Sequence, residues 1–152
     1  MKKFIFISTI VVLAMITSCS EQKYPDLGEG YKFDTGDGNS LAIVNSENTV
    51  MVSMEILDYA FDSTFIIASQ RPWDVPNVPD IKDMTYNQRN EAFEKSTFRQ
   101  YWIINKKEKS EYSLDTLSKL ARYSNVYGPF KKEEYLQKRD ELGVPRELKL
   151  KE

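Results

Sequence analysis

Few side chains in this 152-residue chain can serve as nucleophile, proton carrier or soft metal ligand, because it contains no histidine and one cysteine, Cys19. Zinc sites of the His/Cys kind, Ser-His-Asp triads and Cys-His pairs are therefore excluded. An enzyme built on this chain would have to work with carboxylates, Lys, Tyr, Ser or Thr, and Asp34 and Asp62 are the carboxylates a hydrolase would use. A lone cysteine also rules out an intrachain disulfide, so stability has to come from a packed core.

The position of Cys19 gives it a different meaning. Lys2 and Lys3 form a positive start, Phe4 to Ile16 is a short apolar run, and Ile16-Thr17-Ser18 leads into the thiol. That order is the one a secretory leader needs. As a helix the run would reach only about 20 Å, short of the ~30 Å hydrocarbon core, so a permanent span is not expected. Ile16, Thr17, Ser18 and Cys19 resemble the lipobox of bacterial lipoproteins, an aliphatic residue and two small ones before Cys. The resemblance implies that residues 1–18 are a signal peptide, that Cys19 carries lipid such as palmitate, and that it becomes the first residue of the mature chain. Each buried methylene adds roughly 0.8 kcal/mol of membrane affinity, so two or more acyl chains hold a protein stably. Ser20 in the following position leans towards the outer membrane if the cell is Gram-negative.

Taking 18 residues from 152 leaves 134, the size of one domain able to bury roughly two-thirds of its unfolded surface. The leader holds two of the 21 basic residues and none of the 23 acidic ones, so the remainder carries 19 against 23 and a net charge of −4. No basic face for nucleic acid is expected from that balance. No cofactor is called for by any motif.

Residues 19–30, polar and interrupted by Pro25, Gly28 and Gly30, read as a tether, and residues 31–152 as a single domain. Tyr31 to Phe33 and Leu41 to Val44 flank a turn-rich segment, which predicts a hairpin. Val50 to Leu57 alternates and predicts one strand, with a bend near Asp58 to Asp62. Phe65 to Ala68 and Tyr101 to Ile104 are apolar on both sides, so each is expected in the middle of an antiparallel sheet covered on both faces. Between them the connection Arg71 to Thr97 opens with Pro72, Pro76 and Pro79 around Trp73, and its later part, Tyr86 to Lys95, predicts a short helix. Ser113 caps a predicted helix Leu114 to Tyr123. Tyr127 to Phe130 predicts a tight turn, Lys132 to Leu142 a last helix stopped by Gly143, and Glu147 to Lys151 a docking strand. The fold class expected is α+β: an antiparallel meander of about five strands under two or three short helices, preceded by the signal peptide.

Laid out in this order, the lipobox, Gly30-Tyr31-Lys32, Phe65 to Gln70, Tyr101-Trp102-Ile103-Ile104-Asn105, Val126-Tyr127-Gly128-Pro129-Phe130 and Glu141 to Pro145 resemble a family of short bacterial lipoproteins of unknown function. The resemblance spans nearly all of the mature chain and brings no catalytic or binding residues with it. In that family the YWI strand is expected to run by a short turn into VYGPF, so Lys109 to Asn125 has the character of an insertion.

Each candidate site has a plainer reading beside it. Asp34-Thr35-Gly36 matches the loop that aspartic proteases use in pairs, but it occurs once and is better explained as a hairpin turn. Asp34, Asp37 and Asn39 offer oxygen ligands, yet Gly36 breaks the calcium-loop order, so no metal site is expected. Trp73 on a stiff proline loop is the candidate partner-binding residue, against the alternative that it folds back over the sheet. The mixed charges from Lys131 to Glu141 describe a solvated helix face. The expected function is a membrane-anchored envelope module, binding or structural and not an enzyme, attached through Cys19 and facing a possible envelope protein partner. The alternatives are a carboxylate-dependent hydrolase and an inhibitor or immunity-type lipoprotein acting through the Trp73 loop.

Overall fold

In the computed structural model the residues described are 24–36, 40–53, 55–73, 83–114 and 121–151. Among them are nine strands and two helices, an α+β fold whose sheets are antiparallel throughout. Strands β1 (Lys32–Asp34), β2 (Ala42–Val44) and β3 (Val50–Val52) make a three-stranded sheet. Strands β4 (Ile56–Phe61), β5 (Phe65–Gln70), β6 (Gln100–Asn105) and β9 (Val126–Phe130) make a four-stranded sheet in that order. Strands β7 (Tyr112–Leu114) and β8 (Ala121–Tyr123) pair only with each other. Helix α1 (Tyr86–Lys95) leads into β6, and α2 (Lys132–Leu142) follows β9.

The two strands expected at the centre are there, and the pleat explains why both of their faces are apolar. Ile66, Ala68 and Ile104 point to one side and pack with Leu27, Tyr31, Ile43, Met51 and Val52 of the three-stranded sheet and its lead-in. Phe65, Ile67, Tyr101 and Ile103 point to the other, against Tyr135 of α2 and against Val144 and Leu148 beyond it. The result is three layers, sheet on sheet on helix. Every residue of β5 is buried. At roughly 1.5–3 kcal/mol for each fully buried large aliphatic side chain, these facing clusters are the main source of stability.

Local signals set the helix ends. Thr85 and Gln88 form a reciprocal capping box at the start of α1. At the end of α2, Gly143 takes the left-handed conformation with φ 68° and its N–H donates to Asp140, as the stop signal predicts. The β1–β2 hairpin is also as expected.

Other expectations are corrected. Val50 to Leu57 is not one strand: Glu55 has φ 72°, and this left-handed residue ends the β region between β3 of one sheet and β4 of the other. The bend expected from Asp58 onwards begins only at Asp62, after β4 has run through Phe61. The helix expected over Leu114 to Tyr123 is not formed at its ends, where the chain makes β7 and β8; residues 115–120 lie outside the described ones. Ser113 is a strand residue, and Tyr112 packs on Tyr123 across the hairpin at 5.6 Å between ring centres. Ser124 closes the hairpin base, its hydroxyl donating to Lys109 O at 2.7 Å and accepting from Glu111 N–H at 3.0 Å. Tyr127 to Phe130 is a strand, not a turn, paired to β6. The tail Glu147 to Lys151 is not a strand, although Leu148 is buried and Arg139 donates to Leu148 O at 2.6 Å. The last residues counted as tether are already inside the fold: Leu27 is fully buried, and the Tyr24 ring packs on Phe33 at 5.6 Å.

Lys106 fastens this lead-in. Only 9% exposed, its Nζ donates to Leu27 O at 2.6 Å and to Asp62 O at 2.5 Å, which joins the entering chain to the β4–β5 turn. Burial holds its ammonium below the usual lysine range. Lys106→Met keeps the apolar stem and orphans both carbonyls; at ~1.5–3 kcal/mol for a charge-assisted bond, partly offset by the relieved burial, a loss of about 2–3 kcal/mol is expected in urea melts.

Candidate binding site

Two cavities open on either side of Tyr123. The first, about 300 Å³, is a groove between the three-stranded sheet and the β8–β9 segment. Val50, Met51, Val126 and Pro129 form its apolar walls, Trp102 lines it from β6, and among the described residues Arg122 is the one charged lining residue. The second, about 320 Å³, is a polar cup with Tyr31, Ser46, Lys106 and three carboxylates, Glu29, Glu47 and Glu108, in its wall.

Trp102 is held firmly. Its Nε1–H donates to Gln70 Oε1 at 2.7 Å, and the buried Gln70 amide donates in turn to Ser53 O at 3.0 Å and Ser53 Oγ at 2.7 Å. Gly128 lets β9 come down onto the indole: a Cβ built there, at φ 135°, would lie 2.7 Å from Trp102 Cε3 and 2.8 Å from Tyr101 O. A buried chain of polar groups runs behind the cup. Asn125, fully buried, donates through Nδ2 to Tyr31 Oη at 2.7 Å and to Asn105 O at 3.1 Å. Asn105 Nδ2 donates to Glu108 Oε1 at 2.8 Å, and Tyr127 Oη–H donates to Glu108 Oε2 at 2.6 Å.

The carboxylates proposed for hydrolysis are occupied by turns. Asp34 accepts from Gly36 N–H at 3.0 Å, and Asp62 accepts from Thr64 and Phe65 N–H, both at 2.7 Å. Neither lines either cavity. Asp37 and Asn39 lie outside the described residues, as does Cys19. Among the described residues no three acidic side chains gather into a metal-holding group. Trp73 is 53% exposed, its ring 4.8 Å from the buried Phe93, while the Arg71 guanidinium sits 5.0 Å from the centre of the same ring. It is thus supported from beneath by α1 and open to solvent, between the two readings weighed for it.

Sequence reasoning did not find the groove. Trp102 read as one residue of a strand apolar on both faces, and Arg122 as part of a helix. The available signal was Gly128-Pro129 inside an apolar strand, since glycine in a strand marks close approach of another group.

The fold and cavities define a small α+β protein with an open apolar groove. Residues 28–152 match the family described as protein of unknown function (DUF3997), and the chain belongs to that family. No curated protein matches it. No solved structure matches it either.

Two measurements follow. Gly128→Ala forces Cβ into both Trp102 and the backbone at a positive φ, and a loss of about 3 kcal/mol is expected on thermal unfolding. The hydrogen bond to Glu108, with burial and the carboxylate's charge behind it, pushes the Tyr127 hydroxyl up to about 12 from 10.0. The folded chain therefore keeps a proton that the unfolded one releases, and the stability this gives is whole below pH 10 and lost as pH rises towards about 12. Tyr127→Phe should flatten that stretch of the stability profile and remove one tyrosinate step near pH 12 in absorbance at 295 nm.

Proposed function

We propose that this protein is a lipid-anchored binding module of the bacterial cell envelope, held at the membrane through Cys19 and facing away from the cytoplasm, on the outer membrane where the cell has one. The supporting observation is how closely a lipobox-like cysteine precedes the fold. The Tyr24 ring already packs on Phe33, so Ser20 to Lys23 are the four residues between Cys19 and the domain. Four residues reach at most about 14 Å, which keeps the module beside the headgroups and at high local concentration for membrane-bound partners.

The binding part of the reading is supported by the open groove over Trp102 and by Trp73, a half-exposed aromatic braced by Phe93. Aromatic side chains with few rotatable bonds make favourable anchors for a partner. A hydrolytic role has less support, because Asp34 and Asp62 each hold Oδ1 on neighbouring backbone N–H groups and line neither cavity.

Metabolic labelling with a palmitate analogue tests the anchor. The wild-type chain should incorporate label and sediment with membranes, and Cys19→Ala should do neither. Label that persists in Cys19→Ala, or a wild-type protein recovered with an uncleaved leader, would overturn the proposal. Crosslinking in the intact envelope with the same pair then asks whether partner capture depends on the anchor.

A further inference from the structure

We propose that the groove over Trp102 binds a small apolar carboxylate, its hydrophobic body lying against the indole and its acid group meeting Arg122. This deepens the binding-module reading and does not depend on the anchor. The groove's volume of about 300 Å³ is at the lower end of small-molecule sites, enough for one ring or a short acyl chain. Its walls are Val50, Met51, Val126 and Pro129, which favour an apolar body.

Charge decides which end group that body carries. Among the described residues Arg122 is the one charged lining residue, and no carboxylate among them lies in ion-pair contact with it. Arg122 is exposed at the edge of this apolar wall, and its planar guanidinium matches a carboxylate with two parallel N–H donors. The acidic side chains nearby, Glu29, Glu47 and Glu108, line the cup on the other side of Tyr123. Among its described lining residues the groove offers an acid a charged partner and an amine none.

The site is also built before any ligand arrives. Trp102 is fixed by Gln70, which is 3% exposed and itself held by Ser53, so the indole loses little freedom on binding. Gly128 presses the β9 backbone against the ring from one side. The open side is formed by Val50, Ser53, Arg122 and Pro129, all of them exposed.

The chain has two tryptophans, so Trp73→Phe leaves Trp102 as the one indole reporter. Full-length Trp73→Phe protein would be titrated at pH 7 with 3-phenylpropionate, 3-phenylpropanol and 3-phenylpropylamine while Trp102 emission is followed. A saturable change is expected, with the acid binding about tenfold more tightly than the alcohol and the amine weakest. Arg122→Gln should bring the acid down to the alcohol's level. Val50→Glu, at a half-exposed position that leaves the melting temperature in place, should weaken the acid further. No saturable change with the acid, an amine that binds as well as the acid, or an acid preference that survives Arg122→Gln would overturn the assignment. Equal binding of acid and alcohol would also overturn it while leaving a binding groove in place. Loss of palmitate labelling at Cys19 would strike the anchor and leave this result untouched.

Discussion

The whole architecture answers one requirement: β5 and β6 are apolar on both faces, so the sheet they form has to be covered twice. A single sheet with one wet face would leave either Ile66, Ala68 and Ile104 or Phe65, Ile67 and Ile103 in water. The amino-terminal half of the domain supplies one cover, the β1–β3 sheet with Leu27 and Tyr31. The carboxy-terminal part supplies the other, α2 with Val144 and Leu148. Contacts between the ends of the chain and its middle therefore hold the molecule together, and neither cover has a face to bury without the central pair. Polar groups are confined to the ends of the central strands, Gln70 and Ser69 finishing β5 and Asn105 and Lys106 finishing β6. Each cavity sits at one of these ends. The groove borders the Gln70–Trp102 end and the cup borders Lys106, so the places where apolar cover stops are the places where the surface becomes concave.

Much of this layout was legible in the residues. The double-sided runs at Phe65 and Tyr101 announced central strands, and Gly143 before Val144-Pro145 announced the end of α2, because burial and backbone conformation act there through adjacent residues. The failures have equally local causes. Alternation from Val50 to Leu57 is unbroken, and nothing in side-chain polarity reveals that Glu55 adopts φ 72° and passes the chain from one sheet to the other. Leu114, Leu117 and Leu120 imitate helical spacing, yet the chain at Tyr112 and Tyr123 pairs ring against ring as a hairpin, a preference set by a partner eleven residues away. Gly128-Pro129 suggested a turn because that dipeptide usually makes one. Here the glycine serves a strand that must come within contact of an indole.

The candidate site was hidden for a related reason. Its members come from β3, the segment after it, β6, β8 and β9, and no two neighbouring residues reveal that these surfaces meet. Trp102 looked like core by alternation and is partly that, since its indole packs against the cluster that includes Ile66 and Ile104. Its edge is nonetheless part of a cavity wall. Burial of most of a tryptophan with one side left accessible is a physical arrangement that sequence pattern does not separate from full burial.

The β7–β8 hairpin gives the two cavities their different characters. Tyr123 lines both, with Arg122 beside it in the groove and Ser110, at the hairpin's root, in the cup. A direct connection from β6 to β9 would bring none of these side chains to the surface between the sheets. The hairpin's Tyr123 therefore stands between a groove with apolar walls and a guanidinium and a polar cup that holds Lys106 beside three carboxylates. In the cup opposite charges do meet, Lys106 sharing the wall with the carboxylates and Glu29 pairing with Lys107 at 2.5 Å, whereas the groove presents a guanidinium with no such pair among the described residues. Kept apart from the cup by the Tyr123 ring, the groove's guanidinium is left to a ligand of opposite charge. The hairpin carries that separation at small cost to the core, since its outer residues Tyr112 and Leu114 remain 61% and 57% exposed and the central sheet is complete without it.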